Sequence, residues 1–266
     1  MILIALFWGL FVLPTEITVP LLPLKDLSLQ ETMAIPSTFH YLGSGRQMIA
    51  FESPQQKLVL KLFRRDNVET PWYLRLPLPD AWFKRKKARL ARRQSYLLQN
   101  YRLALQYLSK ETGIVCVHQG ISEAVFPQVT LQSLLNHCEL DLNKTPFILQ
   151  KKGNETFLDA LQATIGTDQF RLLLQQFFAF HRKRISFLIG DSDRDIQHNY
   201  QMLDGKLLYI DAGGFFHNPN LVQPEERAKE WWRATHRLRK WLERHVPEEL
   251  AFFDACSDLY IMLPSS

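Results

Sequence analysis

The chain has 266 residues, of which 46% are hydrophobic and 22% charged, with a formal net charge of +5. That length fits one large domain or two lobes with an ample core, and the composition excludes a disordered chain. Cys116, Cys138 and Cys256 lie far apart without CxxC or Cys/His spacing, and none of the histidines pairs at i, i+4. A zinc site or disulfide framework is therefore excluded, and buried free thiols are expected.

Met1 to Leu13 is apolar throughout. As a helix it spans about 20 Å, short of the roughly 30 Å hydrocarbon core of a bilayer. Pro14, Glu16, Pro20 and Pro23 oppose a straight continuation. The length suits a signal-peptide h-region, but a basic n-region and an A-x-A cleavage site are missing. Residues 1–24 are read as a targeting or anchor segment, with an N-terminal helix packed on the body as the alternative. The basic residues follow the segment, so an anchored chain would keep its body cytoplasmic. Export of the whole body is the other localisation.

Phe39 to Arg64 reads as three strands, FHYLGSG, QMIAFES and LVLKLF, rich in β-branched and aromatic residues. Gly43 and Gly45, on either side of Ser44, leave backbone N–H groups open to an anion. Lys61 sits mid-strand in an apolar run, where an ammonium needs a partner. A phosphate oxygen would serve, or the side chain snorkels to water from an edge strand.

Pro71 to Pro79 is a connector that cannot form a regular helix. Ala81 to Lys110 has helical periodicity, with Leu90, Leu97, Tyr101, Ala104, Leu105 and Leu108 on one face. Its first half is basic between Lys84 and Arg93. That face is either solvated or a contact for anionic lipid headgroups or an acidic partner, and nucleic acid is not the expected partner. Strands follow at Gly113–His118, Glu123–Leu131 and Phe147–Leu149, then helices at Thr156–Ile165 and Asp168–Arg184. Glu225–Glu243 is an amphipathic helix whose tryptophans are expected in the core, and a last helix spans Pro247–Tyr260.

Between the last two groups lies IGDSDRDIQHNYQMLDGKLLYIDAGGF, Ile189 to Phe215. Asp191, Asp193 and Asp195 come first, then Asn199, an Asp204-Gly205 turn, and a strand ending on Asp211. An acid, an amide and a second acid around a hairpin suit Mg²⁺, which takes hard oxygen ligands and completes its shell with phosphates. A polar loop before a buried strand is the plain alternative.

YLGSGRQMIAF…KLVLKLF resembles the glycine-rich loop and strand lysine of the protein-kinase-like superfamily. DxxxxxN…LLYIDAG, Asp193 to Gly213, is similar to its catalytic loop and DFG segment, with features of phosphoinositide kinases and aminoglycoside phosphotransferases. The resemblance implies an α+β, bilobal protein-kinase-like fold with a small antiparallel β lobe carrying one long helix (residues 36–152) and a mainly helical C-lobe (residues 153–266). It implies ATP and Mg²⁺ as cofactors. Gly43, Ser44 and Gly45 would cover the phosphates, Lys61 would contact them, and backbone near Leu149, Gln150 and Lys151 would meet adenine. Asn199 and Asp211 would hold the metal, and Asp193 would be the catalytic base, its Asp193-Arg194 pair resembling that of phosphoinositide kinases, with Asp195 as the alternative. The spacing departs from the family's, which puts the base five residues before the Asn, since that position is Arg194. The long helix also lacks an acid for Lys61 before Glu111, leaving Gln94, Gln99, Glu111 or no partner. The readings are an ATP/Mg-dependent phosphotransferase acting on a protein, lipid headgroup or small molecule, a pseudokinase serving as a nucleotide-binding or scaffold module, or a membrane-attached protein without a nucleotide site. The last requires Lys61 and Asp211 to lie far apart.

Overall fold

The computed structural model describes residues 35–45, 47–64, 80–120, 126–133 and 136–262, leaving aside the side chains of 80–91 and 261–262. The segment 1–24, the Pro71–Pro79 connector and the side chains from Lys84 to Ala91 lie outside that description. The elements in chain order are β1 (Thr38–Ser44), β2 (Met48–Ser53), β3 (Leu58–Phe63), α1 (Asp80–Thr112), β4 (Ile114–Gln119), β5 (Gln128–Gln132), β6 (His137–Asp141) and β7 (Pro146–Lys151). Then come β8 (Glu155–Thr156), α2 (Phe157–Ala163), α3 (Asp168–Ser186), β9 (Ile189–Asp191), β10 (Tyr200–Leu203), β11 (Lys206–Tyr209), β12 (Phe215–His217), α4 (Pro224–His245) and α5 (Leu250–Met262). The architecture is α+β.

Seven strands form one sheet in the order β4-β7-β3-β2-β1-β5-β6. The sheet is mixed, not antiparallel as expected, because β5 runs parallel to β1 from Thr38↔Thr130 to His40↔Gln132. β6, which the sequence reading did not place, pairs with β5 at the sheet edge.

Strand alternation divides β3 between two cores. Leu58 and Leu60 join Phe39, Val129, Phe147 and Leu149 on one face. Lys61 belongs to the opposite face, where Ile148 and Val117 pack with α1 and the later helices. On α1, Leu97, Tyr101, Ala104 and Leu108 are buried, in the predicted periodicity. Phe170, Leu173, Leu174, Phe177 and Phe178 of α3 are buried in the same core. This second core therefore runs from the sheet into the helical part, and the chain crosses from one to the other after Lys151.

Two expectations about single residues are corrected. Cys138 is exposed, because β6 is an edge strand, while Cys116 is buried and Cys256 half-buried. Trp231 is in the core, but Trp232, one helical step round, is 62% exposed. No helix among the described residues is long and apolar enough to cross a membrane.

Candidate functional site

The site is assembled from β3, α1 and the segment between β9 and β12. Sheet register fixes its first side. Gly43 pairs with Ala50, Ala50 with Lys61, and Lys61 with Ile148, so these residues form one row across four strands. At about 4.8 Å per strand, Gly43 stands roughly 10 Å from Lys61. The register slips between Tyr41 and Gly43. A Cβ on Gly43 would meet nothing within 4 Å, so the loop lies open above the sheet. Gly45 closes the turn through its N–H to Met48 O at 2.9 Å, and its carbonyl accepts from Arg64. Ser44 is exposed.

From that row Lys61 reaches toward α1. Its Nζ donates to Ile210 O at 2.5 Å and stands 5.7 Å from the centre of the Tyr101 ring. Burial pulls its pKa below the ordinary lysine value, and the Asp211 charge opposes that pull. Lys61 is thus neither on an edge strand nor turned to water.

The second side is the hairpin β10–β11. Asp204 and Gly205, at φ of 49° and 75°, make the tight two-residue turn that an Asp-Gly pair favours. Leu203 then pairs with Lys206 and Tyr200 with Tyr209. Just beyond the last pair, Ile210 N donates to Asn199 O at 2.8 Å. The hairpin thereby sets Asn199 across from Ile210, one residue from Asp211.

Asp211 Oδ1 accepts the Tyr101 hydroxyl at 3.0 Å and the Gly213 N–H at 3.1 Å. Its Oδ2 takes no hydrogen bond among the described residues. Asn100, beside Tyr101 on α1, donates to Gly213 O at 2.7 Å. Burial, then the Asp211 charge and hydrogen bond, then the Asp193 charge raise the Tyr101 pKa well above its ordinary value. Tyr101 therefore remains a protonated donor, and both Asp193 and Asp211 lie within electrostatic reach of it.

Glu111 does not reach Lys61. It pairs with Lys183 at 2.6 Å, near the C-terminal end of α1. Gln99 is exposed, and Gln94 makes no bond to Lys61. The helix residue against Lys61 is Tyr101, which sequence reading placed only in the core. Its helical phase was visible, but its hydroxyl partner, 110 residues away, was not.

The acid cluster divides into three environments. Asp191 is buried; its Oδ2 accepts the Tyr209 hydroxyl at 2.7 Å and its Oδ1 the Asp193 N–H at 2.9 Å. Burial raises its pKa to about 6 against the opposing Arg184 charge. Asp193 Oδ1 accepts the Asp195 N–H at 3.1 Å. Asp195 Oδ1 caps the turn through Gln197 N and its Oδ2 pairs with His198 Nδ1 at 2.8 Å. Partial burial pushes the Asp195 carboxyl up, but the His198 and backbone hydrogen bonds hold it below its ordinary value. So Asp195 faces His198 on the surface, while Asp193 bonds the Asp195 main chain and its charge is felt by Tyr101. Gly214 lies against this loop: a Cβ there would sit 2.6 Å from Asp191 Oδ1 and 2.8 Å from Asp193 N. Only glycine allows that approach.

Beneath the loop is a buried ionic scaffold that sequence reading missed. Arg184 of α3, fully buried, donates to Ile189 O at 2.7 Å and to Glu230 Oε1 of α4 at 2.8 Å. Glu230 Oε1 also accepts the Asp191 N–H at 3.1 Å. His181 lies 3.5 Å from Arg184 and 3.0 Å from the Tyr200 hydroxyl. Burial first and the Arg184 charge second keep His181 well below its ordinary pKa, hence neutral.

The Leu149–Lys151 main chain is not open. β7 lies between β3 and β4 and pairs with both, and Lys151 N donates to Gly113 O at 2.8 Å. The Gln150 side chain is buried on Thr112 O at 2.6 Å, with Tyr209 O at 3.4 Å.

For a metal, the available donors are Asp211 Oδ2 and the Asn199 amide, whose Nδ2 lies 3.5 Å from the Tyr209 hydroxyl. No group of three His, Cys, Asp or Glu side chains among the described residues would hold an ion alone. One carboxylate and one amide suit Mg²⁺ that brings phosphate and water oxygens with it. By chemistry the two side chains suit that ion, with the Asn199 main chain bonded to Ile210, the residue before Asp211.

No protein-family model matches the sequence, and no curated protein matches it. Among solved structures, the chain is similar to WbdD, a bifunctional kinase-methyltransferase, at medium resolution (16% identity, TM-score 0.40, 83% of this chain and 44% of that chain). A 2.2 Å structure of WbdD gives 16% identity and a TM-score of 0.38 over 83% and 44% of the two chains. WbdD with the kinase inhibitor LY294002 gives 17%, 0.35, 85% and 46%. The chain spans less than half the length of these structures, and likeness at this level leaves the function to be argued from the residues themselves.

Proposed function

We propose that the protein is an ATP- and Mg²⁺-dependent phosphotransferase with a bilobal, protein-kinase-like arrangement. The observation that carries this is the meeting of Lys61 with the Ile210–Asp211 peptide across Tyr101. The cation and a carboxylate with one oxygen unbonded among the described residues come from segments some 150 residues apart; the Asn199 main chain is bonded to Ile210, and Gly43 stands in the same sheet row as Lys61. The reading in which Lys61 and Asp211 lie far apart is contradicted by that contact.

Lys61 binds phosphate oxygens once a nucleotide replaces Ile210 O as its partner; a phosphate also restores the charge stabilisation that burial removes. Asp211 Oδ2 and Asn199 would hold Mg²⁺, which neutralises charge on the transferring phosphoryl group. Tyr101 fixes the Asp211 carboxylate by donating to its Oδ1. Asp193, whose charge reaches Tyr101, would accept the proton of the acceptor hydroxyl. Catalysis is then positioning plus electrostatic stabilisation, with little covalent work for the chain. The test is ADP release from ATP and Mg²⁺, water serving as default acceptor. Asp193→Asn is expected to lower turnover by at least about 100-fold and Asp195→Asn by less than about threefold. Equal loss in both would contradict the assignment of the base.

One observation favours a second reading, a nucleotide-binding pseudokinase: α1 sets Tyr101, not an acid, against Lys61. That reading predicts ATP binding without ADP release by the unsubstituted chain.

A further inference from the structure

α4 has two faces of different chemistry. Trp231, Thr235, Leu238 and Leu242 bury one of them. The opposite face carries Lys229, Arg233, Arg237, Lys240 and Arg244, at helical spacings that stack them into one stripe. Lys229 pairs with Glu226 at 2.7 Å, and Arg237 donates to Arg194 O at 2.8 Å. Arg233, Lys240 and Arg244 are exposed and take no hydrogen bond or ion pair among the described residues. From Arg233 to Arg244 the stripe is about 16 Å long.

Two apolar side chains on or just before this helix are exposed. Trp232 is 62% exposed and stacks on the His236 ring at 4.5 Å, and Val222, just before α4, is 54% exposed. Exposed cations in a row, Arg233, Lys240 and Arg244 among them, with an indole at their edge, match the surface of an anionic bilayer. The cations meet headgroup phosphates, and the indole sits at the level where amphipathic rings are favoured. The exposed indole beside the cations favours the interface of a bilayer over a purely charged partner. The apolar stretch Met1–Leu13 and the basic run from Lys84 to Arg93 give the same chain two further segments of membrane-directed composition.

We propose that the exposed face of α4 docks on an anionic lipid surface. Arg237 holds Arg194 O, between Asp193 and Asp195, so docking brings the candidate catalytic loop to the membrane. The inference does not rest on phosphotransfer, and either one stands if the other fails.

The experiment is co-sedimentation of the full chain with vesicles of phosphatidylcholine alone and of phosphatidylcholine mixed with phosphatidylglycerol. The apolar N-terminus contributes to both, so the difference reports charge. Arg233→Glu/Lys240→Glu touches no residue of the candidate site and is expected to weaken phosphatidylglycerol-dependent binding by about thirtyfold or more. Its far-UV spectrum and melting temperature should match those of the parent. In a second arm, brominated lipid should quench tryptophan emission less in Trp232→Phe than in the parent, which isolates this indole from Trp8. Unchanged phosphatidylglycerol dependence in the double variant, or unchanged quenching in Trp232→Phe, would overturn the proposal.

Discussion

The two sides of the candidate site are built in opposite ways. Below the loop, Arg184, Glu230, His181 and Asp191 are sealed from water and bonded chiefly to one another and to main chain. Above it, Lys61, Tyr101 and Asp211 converge, with the ammonium bonded among the described residues to a carbonyl alone and one carboxylate oxygen without a bond there. A buried charge pair recovers its desolvation cost only through good geometry, so the lower side is rigid and contributes position. The upper side is left short of partners, and a ligand that supplies them gains binding energy there. The difference teaches where substitutions should cost stability and where they should cost binding.

The largest effect should come from breaking the lower side. Glu230→Ala leaves Arg184 and the Asp191 N–H without their shared acceptor, and should lower unfolding free energy by about 3–5 kcal/mol in urea titrations. Glu230→Gln keeps an acceptor and should lose less. Equal stability of Glu230→Ala and the parent would break the comparison outright.

Next comes the upper side. Tyr101→Phe keeps the ring beside Lys61 and removes the donor to Asp211. It should cost only about 1 kcal/mol of stability. Yet it should shrink the gain in ATP affinity that Mg²⁺ provides, leaving metal-free ATP binding near the parent value in paired titrations.

Asp191 sharpens the contrast through pH. Its folded pKa, about 6, lies above the ordinary value of 3.8. The folded state therefore binds the proton more tightly, and this group's contribution is greatest at low pH and declines as pH rises through that window. Between pH 5 and pH 7 the parent should lose more stability than Asp191→Asn. A parallel pH dependence in the two would show that Asp191 is not held in a dry site.

The smallest effect belongs to the surface. The Asp195–His198 pair is exposed, so His198→Ala should change stability by less than about 1 kcal/mol, and less still in high salt.

How much of this was legible in the sequence depended on whether the signal was local. The Asp204-Gly205 turn, the β3 run around Lys61 and the α1 periodicity were readable, because turn chemistry and side-chain period are written in adjacent residues. The need of Lys61 for a partner was readable too. What met it was not: Ile210 O lies 149 residues away. Tyr101 read as core because its ring is core, and only the fold shows its hydroxyl on Asp211. Glu230 looked like one more acid on a polar helix, since Arg184 announces itself as its partner only when α3 and α4 pack. The parallel β1–β5 pairing escaped for the same reason, as nothing in either strand specifies its neighbour's direction. Asp193 and Asp195 each missed the family spacing by one residue, and the Asp-Arg pair favoured Asp193; only the fold shows Asp195 paired with His198 and Asp193 bonded to the Asp195 main chain.

The most direct test of the central claim, that Lys61 and Asp211 form two sides of one nucleotide site, is calorimetric ATP binding to the full chain with and without Mg²⁺. It is performed beside Lys61→Ala, Asp211→Asn and their combination. ATP should bind, Mg²⁺ should strengthen binding, and Asp211→Asn should remove that strengthening. Lys61→Ala should weaken binding in both conditions, and the double variant should lose less than the two single losses added together. Tight ATP binding indifferent to both substitutions, or no binding by the folded chain, would contradict the account.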